Sequence, residues 1–256
     1  MEVIIALAAF AASLLTLFSG FGLGTILTPI FGIFFPLNIA VALTGIVHLL
    51  NNLFKLTLLG KEASRDLVLR FGIPSVAGGF VGAIALAALS QLPTLFTWEC
   101  CGKTLEVTLL KLAISVLMIV FALMEILPAL KNLNFTGKHL TLGGLVSGFF
   151  GGLSGHQGAL RTAFLVNCGL KKEAFIATGV VIACLVDFTR LPIYFTRFSS
   201  GELINQWPLL LIATLSAFAG AFLGKRFLKH TTMQTVHKLT AAMIIGIALL
   251  LATGML

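Results

Sequence analysis

Long apolar runs dominate this chain and leave it few folds to choose from. Hydropathy marks segments near 3–18, 22–35, 38–59, 66–89, 105–130, 140–154, 158–168, 172–195, 203–224 and 236–256. Several reach the roughly 20 residues needed to cross a hydrocarbon core of about 30 Å. Only 10% of the 256 residues are charged, against 58% hydrophobic, and the mean hydropathy is +1.07. A soluble domain covers itself with about 25% charged residues, so the solvent expected here is a lipid bilayer and the expected fold class is an all-α polytopic membrane protein.

The net charge of +8 would point to nucleic acid in a soluble protein. Here the lysines and arginines fall mostly in short loops between apolar runs, where they act as topology signals, and no nucleic-acid partner is expected. Cys100, Cys101, Cys168 and Cys184 lack metal-ligand spacing, so neither a disulfide framework nor a metal or other cofactor is expected. The start carries Glu2 in place of a basic leader region and runs straight into further apolar sequence. It is read as mature structure.

Two of the apolar segments, 22–35 and 158–168, are too short to span. Each follows or contains a glycine-rich stretch, SGFGLG and GGLSGHQG, and glycine is costly inside a helix and favours turns. Each is therefore expected to form a broken helix or a re-entrant hairpin with the run before it. Sliding the chain by 134 residues carries Gly24 onto Gly158, Thr28 onto Thr162, Ala40 onto Ala174, Thr44 onto Thr178, Gly45 onto Gly179 and Phe54 onto Phe188. A further insertion brings Gly78 onto Gly220 and Gly82 onto Gly224, each pair a small-xxx-small face suited to close helix packing. The shared order of elements indicates a duplication, with residues 1–130 and 131–256 as the two membrane repeats of one transmembrane domain.

Charge placement orients the repeats, because cytoplasmic loops collect lysine and arginine. If each broken pair returns to its starting side, Lys55, Lys61, Arg65, Arg70, Lys131, Lys138, Lys171, Lys172, Lys225, Arg226, Lys229 and Lys238 share one face, and only Lys103, Lys111 and Arg197 oppose them. If each pair crosses once, the same residues divide almost evenly. The first arrangement is favoured. It places both termini outside the cytoplasm and gives each repeat a broken pair followed by three spanning helices. The repeats are then inverted, in a prokaryotic cytoplasmic (inner) membrane. Inverted repeats with discontinuous helices are a recurring transporter design with the binding site near the midplane.

The stretch GLVSGFFGGLSGHQGALRTAFLVNCGLKKEAFIATGVVIACLVDF, with AFAGAFLGKRF later, resembles the second repeat of the TauE/SafE-like sulfite exporter family, also called the toluene-sulfonate uptake permeases. Residues 19 to 83 resemble its first repeat more weakly. The resemblance implies transport of sulfite, sulfonates or related sulfur-containing anions. Where the family's glycine-rich turn would be followed by proline, this chain has Gly22, Leu23 and Gly24 before Pro29 in the first half. The second half has Gly155, His156, Gln157 and Gly158, with Ala163 in the proline position. His156, Gln157 and Arg161 are polar where the common pattern is glycine or aliphatic.

Several residues are candidates for the chemistry. A helix that starts at a glycine break offers unpaired amides and the positive end of its dipole, which suits an anion. One such end lies at Gly22, Gly24 and Thr25, the other at Gly155, His156, Gln157 and Gly158. The same glycines could instead serve close packing alone. Arg161 lies one turn into the second short helix, and its fork of donors fits a sulfonate or carboxylate, although it could also form a structural ion pair. A titrating His156 could couple a proton, or sit satisfied by carbonyls.

Asp187 and Arg190, at i and i+3, share a helix face and are read first as a structural pair, with coupling or gating as the second reading. His48 is a weaker candidate for the same coupling role. Asn51 and Asn52 fit either substrate contact or interhelical hydrogen bonding. Thr44 and Thr178 are read as back-bonded to their helices rather than as ligands.

Together these observations lead to a secondary transporter of a small anion, a sulfur-containing oxyanion or organosulfonate, held at the midplane between two glycine breaks and moved by alternating access. The chain lacks G-x-x-x-x-G-K-[ST], so a proton or sodium ion, or the anion's own gradient, would supply the energy. A homo-oligomer is compatible with the sequence. An anion channel or a non-transporting membrane scaffold is the alternative. A membrane-embedded enzyme is less favoured, because the sequence is poor in nucleophile and base pairs and in metal clusters.

Overall fold

The computed structural model describes residues 1–19, 22–100, 102–126, 139–198, 200–227 and 233–256. Lys131, Lys138 and Lys229, the repeat boundary at 130/131, Cys101, and Gly20 and Phe21 of the first glycine-rich stretch lie outside the described residues. The chain runs through α1 (Glu2–Ser19), α2 (Leu23–Gly32), α3 (Leu37–Leu59) and α4 (Arg65–Leu89). A hairpin of β1 (Thr94–Cys100) and β2 (Lys103–Thr108) follows, then α5 (Leu109–Ile126). The second part holds α6 (Leu140–Ser154), α7 (Gly158–Leu165), α8 (Lys172–Arg197), the short α9 (Ser200–Asn205), α10 (Trp207–Phe227) and α11 (Met233–Ala252). Among the described residues, segments of α3, α4, α8 and α10 are long and apolar enough to cross a membrane, and α1, α2, α5, α6 and α11 contribute shorter apolar stretches. The protein is an all-α polytopic membrane protein with one small hairpin added.

Both expected interruptions are present. Helix α1 ends before Gly20 and α2 restarts at Leu23, while α6 ends at Ser154 and α7 restarts at Gly158. At the second break Gly155 takes φ +80°, the left-handed region in which a Cβ would strain the chain. The described spans turn apolar side chains outward and enclose a mostly apolar core with a small set of buried polar groups in it. On α8, Asp187 is 0% exposed and its neighbour Phe188 is 56% exposed. Val3, Leu7, Leu142, Leu211 and Phe222 likewise face outward, as lipid-facing side chains must.

Lipid gives apolar helices no hydrophobic reason to associate, so backbone approach through small residues carries the packing. Helix α4 lies along α6, and α10 along α1. A Cβ on Gly78 would fall 2.0 Å from the Leu145 carbonyl, and one on Gly82 would fall 2.0 Å from that of Phe149. From the other side, a Cβ on Gly148 would meet the Ser75 carbonyl at 2.0 Å, and one on Gly152 the Gly79 carbonyl at 2.1 Å. Gly220 brings α10 equally near α1, its Cβ position 2.3 Å from the Phe10 carbonyl. The small-residue faces read at Gly78, Gly82 and Gly220 are therefore direct backbone contacts. Near the start of α4 a π-helical turn, Val68–Gly72, loosens the backbone bonding. There Ser75 Oγ donates to the Phe71 carbonyl at 2.8 Å.

The hairpin was not anticipated from hydropathy, which started a span at 105. Its strands pair Trp98 with Leu105 and Cys100 with Lys103, and Gly102, just before the second strand, takes φ +74°. Trp98 Nε1 donates to the Thr253 carbonyl at 2.8 Å, and Gly254 packs on the Glu106 backbone. The hairpin thus ties the connection between α4 and α5 to the C-terminal end of α11.

Candidate functional site

The two breaks meet. A Cβ placed on Gly24, in the first turn of α2, would lie 3.1 Å from the Gly155 carbonyl and 3.6 Å from Thr44 of α3. A Cβ on Gly155 would lie 3.3 Å from Arg190 Nη1 and 3.8 Å from Thr28 Oγ1. Gly22, the extended residue that opens α2, lies beside His48, with Nε2 3.7 Å from its Cβ position. His48 occupies the middle of the span Leu37–Leu59, so the junction lies deep within the helix bundle.

A buried polar chain runs through this junction. Asp187 Oδ1 accepts from Arg190 Nε at 2.8 Å and lies 2.8 Å from Nη2, while Oδ2 lies 2.6 Å from His48 Nδ1. An ionised Asp187 is an acceptor only, which assigns the His48 proton to Nδ1 and leaves Nε2 to accept from the Asn52 amide at 3.2 Å. The pair read at i and i+3 is formed, and His48 joins it from the other half of the chain. The pair is also where the end of α6 is anchored. Carbonyls in the last turn of a helix lack intrahelical partners. Here Tyr194 Oη donates to the Gly152 carbonyl, and Arg190 Nη1, at 3.2 Å, is a second donor to the Gly151 carbonyl, which also accepts from the Gly155 amide. His156 Nδ1 donates to the Ser154 carbonyl at 2.8 Å. The guanidinium also sits where the C-terminal dipole of α6 favours a cation.

Several polar groups at the junction are buried without protein partners. They are both amide atoms of Gln157, His156 Nε2, Thr28 Oγ1 and Thr44 Oγ1, and Arg161 Nη1, away from the junction, is likewise unpartnered. Native interiors rarely leave such groups unsatisfied, and a cluster of them marks a place where solvent or a ligand belongs. Thr25 is buried in the first turn of α2. Thr178, in contrast, accepts from the Ser64 amide at 2.9 Å and holds the start of α4.

Arg190 is the arginine at the meeting point of the breaks. Arg161 lies against Gly179 of α8, Nε 3.2 Å from that residue's Cβ position. Asn51 faces α1 and α10: its amide is oriented to donate to the Ala217 carbonyl at 3.3 Å and presents its oxygen to Ser13 Oγ and Lys55 Nζ, each at 3.2 Å. Lys55, counted in the sequence among the loop cations, is inside α3 and only 5% exposed. The sequence carried no hint of this, because Lys55 stands near the end of an apolar run. Among the described residues no group of three or more His, Cys, Asp or Glu is arranged to hold a metal ion.

A family model for the sulfite exporter TauE/SafE matches residues 5–251, a stretch that contains both breaks and every residue of the polar chain. No curated protein and no solved structure was found to match. The chain therefore belongs to the sulfite exporter TauE/SafE family, whose members are membrane transporters of sulfite or related anions.

Proposed function

We propose that this protein carries a small sulfur-containing oxyanion or organosulfonate by alternating access, binding it where the two glycine breaks meet. The observation that carries the reading is the approach of Gly24 to the Gly155 carbonyl beside unpartnered Gln157, His156, Thr28 and Thr44. Amides in the first turn of α2 and of α7 would receive the anion's oxygens, as helix N-termini do. Gln157 and His156 Nε2 would complete its hydrogen bonds. Arg190, held and balanced by Asp187, lines the site with a fixed guanidinium edge, and Arg161 of α7 is the cation that a passing anion would engage.

Duplication supports a rocking mechanism. Exchange of the two halves turns the α1 and α10 contact into the α6 and α4 contact, and these are the two most extensive helix pairings among the described residues. Gly78 and Gly220, equivalent in the repeats, each press on the helix that precedes the opposite break. Residues 1–130 and 131–256 then act as inverted units that pivot about α3 and α8, with both termini outside the cytoplasm.

Purified protein in liposomes provides the test. Sulfite uptake is expected to saturate and to respond to sulfite on the far side, whereas flux linear in concentration would identify a channel. Gly24→Val fills the junction. An overpacking penalty of about 1–3 kcal/mol in the anion-accepting state lowers uptake roughly tenfold or more while leaving the folded yield near that of the parent. Unchanged uptake in Gly24→Val would remove the junction from the pathway.

A further inference from the structure

Among residues whose side chains are described, the interior holds more positive charge than it neutralises. Asp187 is the one buried carboxylate among those residues, and it is committed to Arg190 and His48. Lys55 is 5% exposed, and its contact is the neutral Asn51 oxygen. Arg161 is partly buried with Nη1 unpartnered. No carboxylate among the described residues makes a salt bridge to either one. The contacts of Gly45 with Arg190 and of His48 with Asp187 set α3 antiparallel to α8, a register that carries Lys55 to the level of Val180, beside the Gly179 against which Arg161 packs and about one turn from Cys184, buried on the same helix.

Two cations that repel inside a low-dielectric region are costly to keep. The cost falls if an anion sits between them. Asp187 already serves a guanidinium of its own. What is missing is close to two negative charges. We infer that Lys55 and Arg161 form an anion-binding station beside Cys184, and that it selects doubly charged oxyanions over singly charged ones. The inference rests on the transport reading above and adds a charge requirement to it. A lysine suits the task as a compact point charge that can follow a moving ligand, while the arginine fork orients two oxygens. The station involves α3, α7 and α8, so it joins residues of both halves and would empty when they separate.

The experiment uses thiosulfate as the dianionic probe and methanesulfonate as the monoanionic probe, each followed into liposomes holding the parent protein, Lys55→Gln or Lys55→Arg. The parent is expected to favour thiosulfate. Lys55→Gln loses thiosulfate uptake by about tenfold, the value of one charge-assisted hydrogen bond, with a much smaller change for methanesulfonate, and Lys55→Arg keeps the parent's preference. Equal losses for both probes, or no loss for either, overturn the charge requirement while leaving transport intact. If the parent moves neither probe nor sulfite, the transport reading itself fails.

The parent protein alone offers a second measurement, should Lys55→Gln not assemble. Cys184 is expected to react faster with a small anionic, sulfonate-bearing thiosulfonate than with its cationic trimethylammonium counterpart, as read by mass mapping of the Cys184 peptide. Thiosulfate should slow that reaction. Faster reaction with the cationic reagent, or no protection by thiosulfate, contradicts an anion station at this position.

Discussion

Asp187→Ala is expected to destabilise the protein by about 3–5 kcal/mol, the usual cost of removing one partner from a buried ion pair. The substitution leaves Arg190, 0% exposed, with a guanidinium that nothing neutralises, and deprives His48 of its acceptor at 2.6 Å. It also loosens the anchor at the second break, because the Arg190 and Tyr194 contacts to the Gly151 and Gly152 carbonyls depend on a fixed arginine. Thermal unfolding of the detergent-solubilised protein measures the loss. Asp187→Ala combined with Arg190→Met should be more stable than Asp187→Ala alone, since the uncompensated charge is gone. A double variant less stable than the single one would mean that the arginine holds the fold without help from the aspartate.

The second large effect comes from adding one carbon. Gly148→Ala places a Cβ 2.0 Å from the Ser75 carbonyl and 2.7 Å from Ser75 Cα, and backbone cannot rotate away as a side chain can. Helices α4 and α6 must separate, and the adjoining contacts at Gly78, Gly82 and Gly152 are lost with them. A cost of about 3 kcal/mol, at the top of the range for overpacking, is expected in the same unfolding experiment. Gly246→Ala on α11 is the matched control, because nothing lies within 4 Å of its Cβ position. Removing glycine from a helix there stabilises by about 1 kcal/mol. Equal effects at the two positions would show that α4 and α6 are not in backbone contact.

These two sites also show what a sequence can and cannot disclose. Gly78 and Gly82 stand four residues apart, and the proposed duplication carries Gly78 onto Gly220, so a sequence pattern points to the packing. The two breaks were visible for a similar local reason: glycine clusters beside apolar runs too short to span. Asp187 and Arg190 stand three residues apart on one helix, and their pairing follows from helical geometry.

His48 and Asp187 are separated by 139 residues, and no local rule brings them together. Only the docking of α3 on α8 does so. The same docking explains why Arg190, rather than Arg161, stands where the breaks meet. It also accounts for Lys55, whose position near the end of α3 reads as a loop charge in hydropathy and as a buried cation once α8 and α10 pack on that helix. The hairpin is a different case, since its signal was present. β-Branched and aromatic residues in TLFTWEC and KTLEVT flank a turn with glycine, but the averaging that reveals membrane spans blurs strands of this length.

The central claim is that two helix interruptions, one from each half, create an anion site at their point of contact. An experimental density map of the protein with sulfite bound tests it most directly. The account predicts a pyramidal anion within hydrogen-bond reach of the first-turn amides of α2 and α7, with the Gln157 amide turned toward it. Sulfite bound away from Gly24 and Gly155, with Gln157 paired to protein atoms in a closed junction, would contradict it.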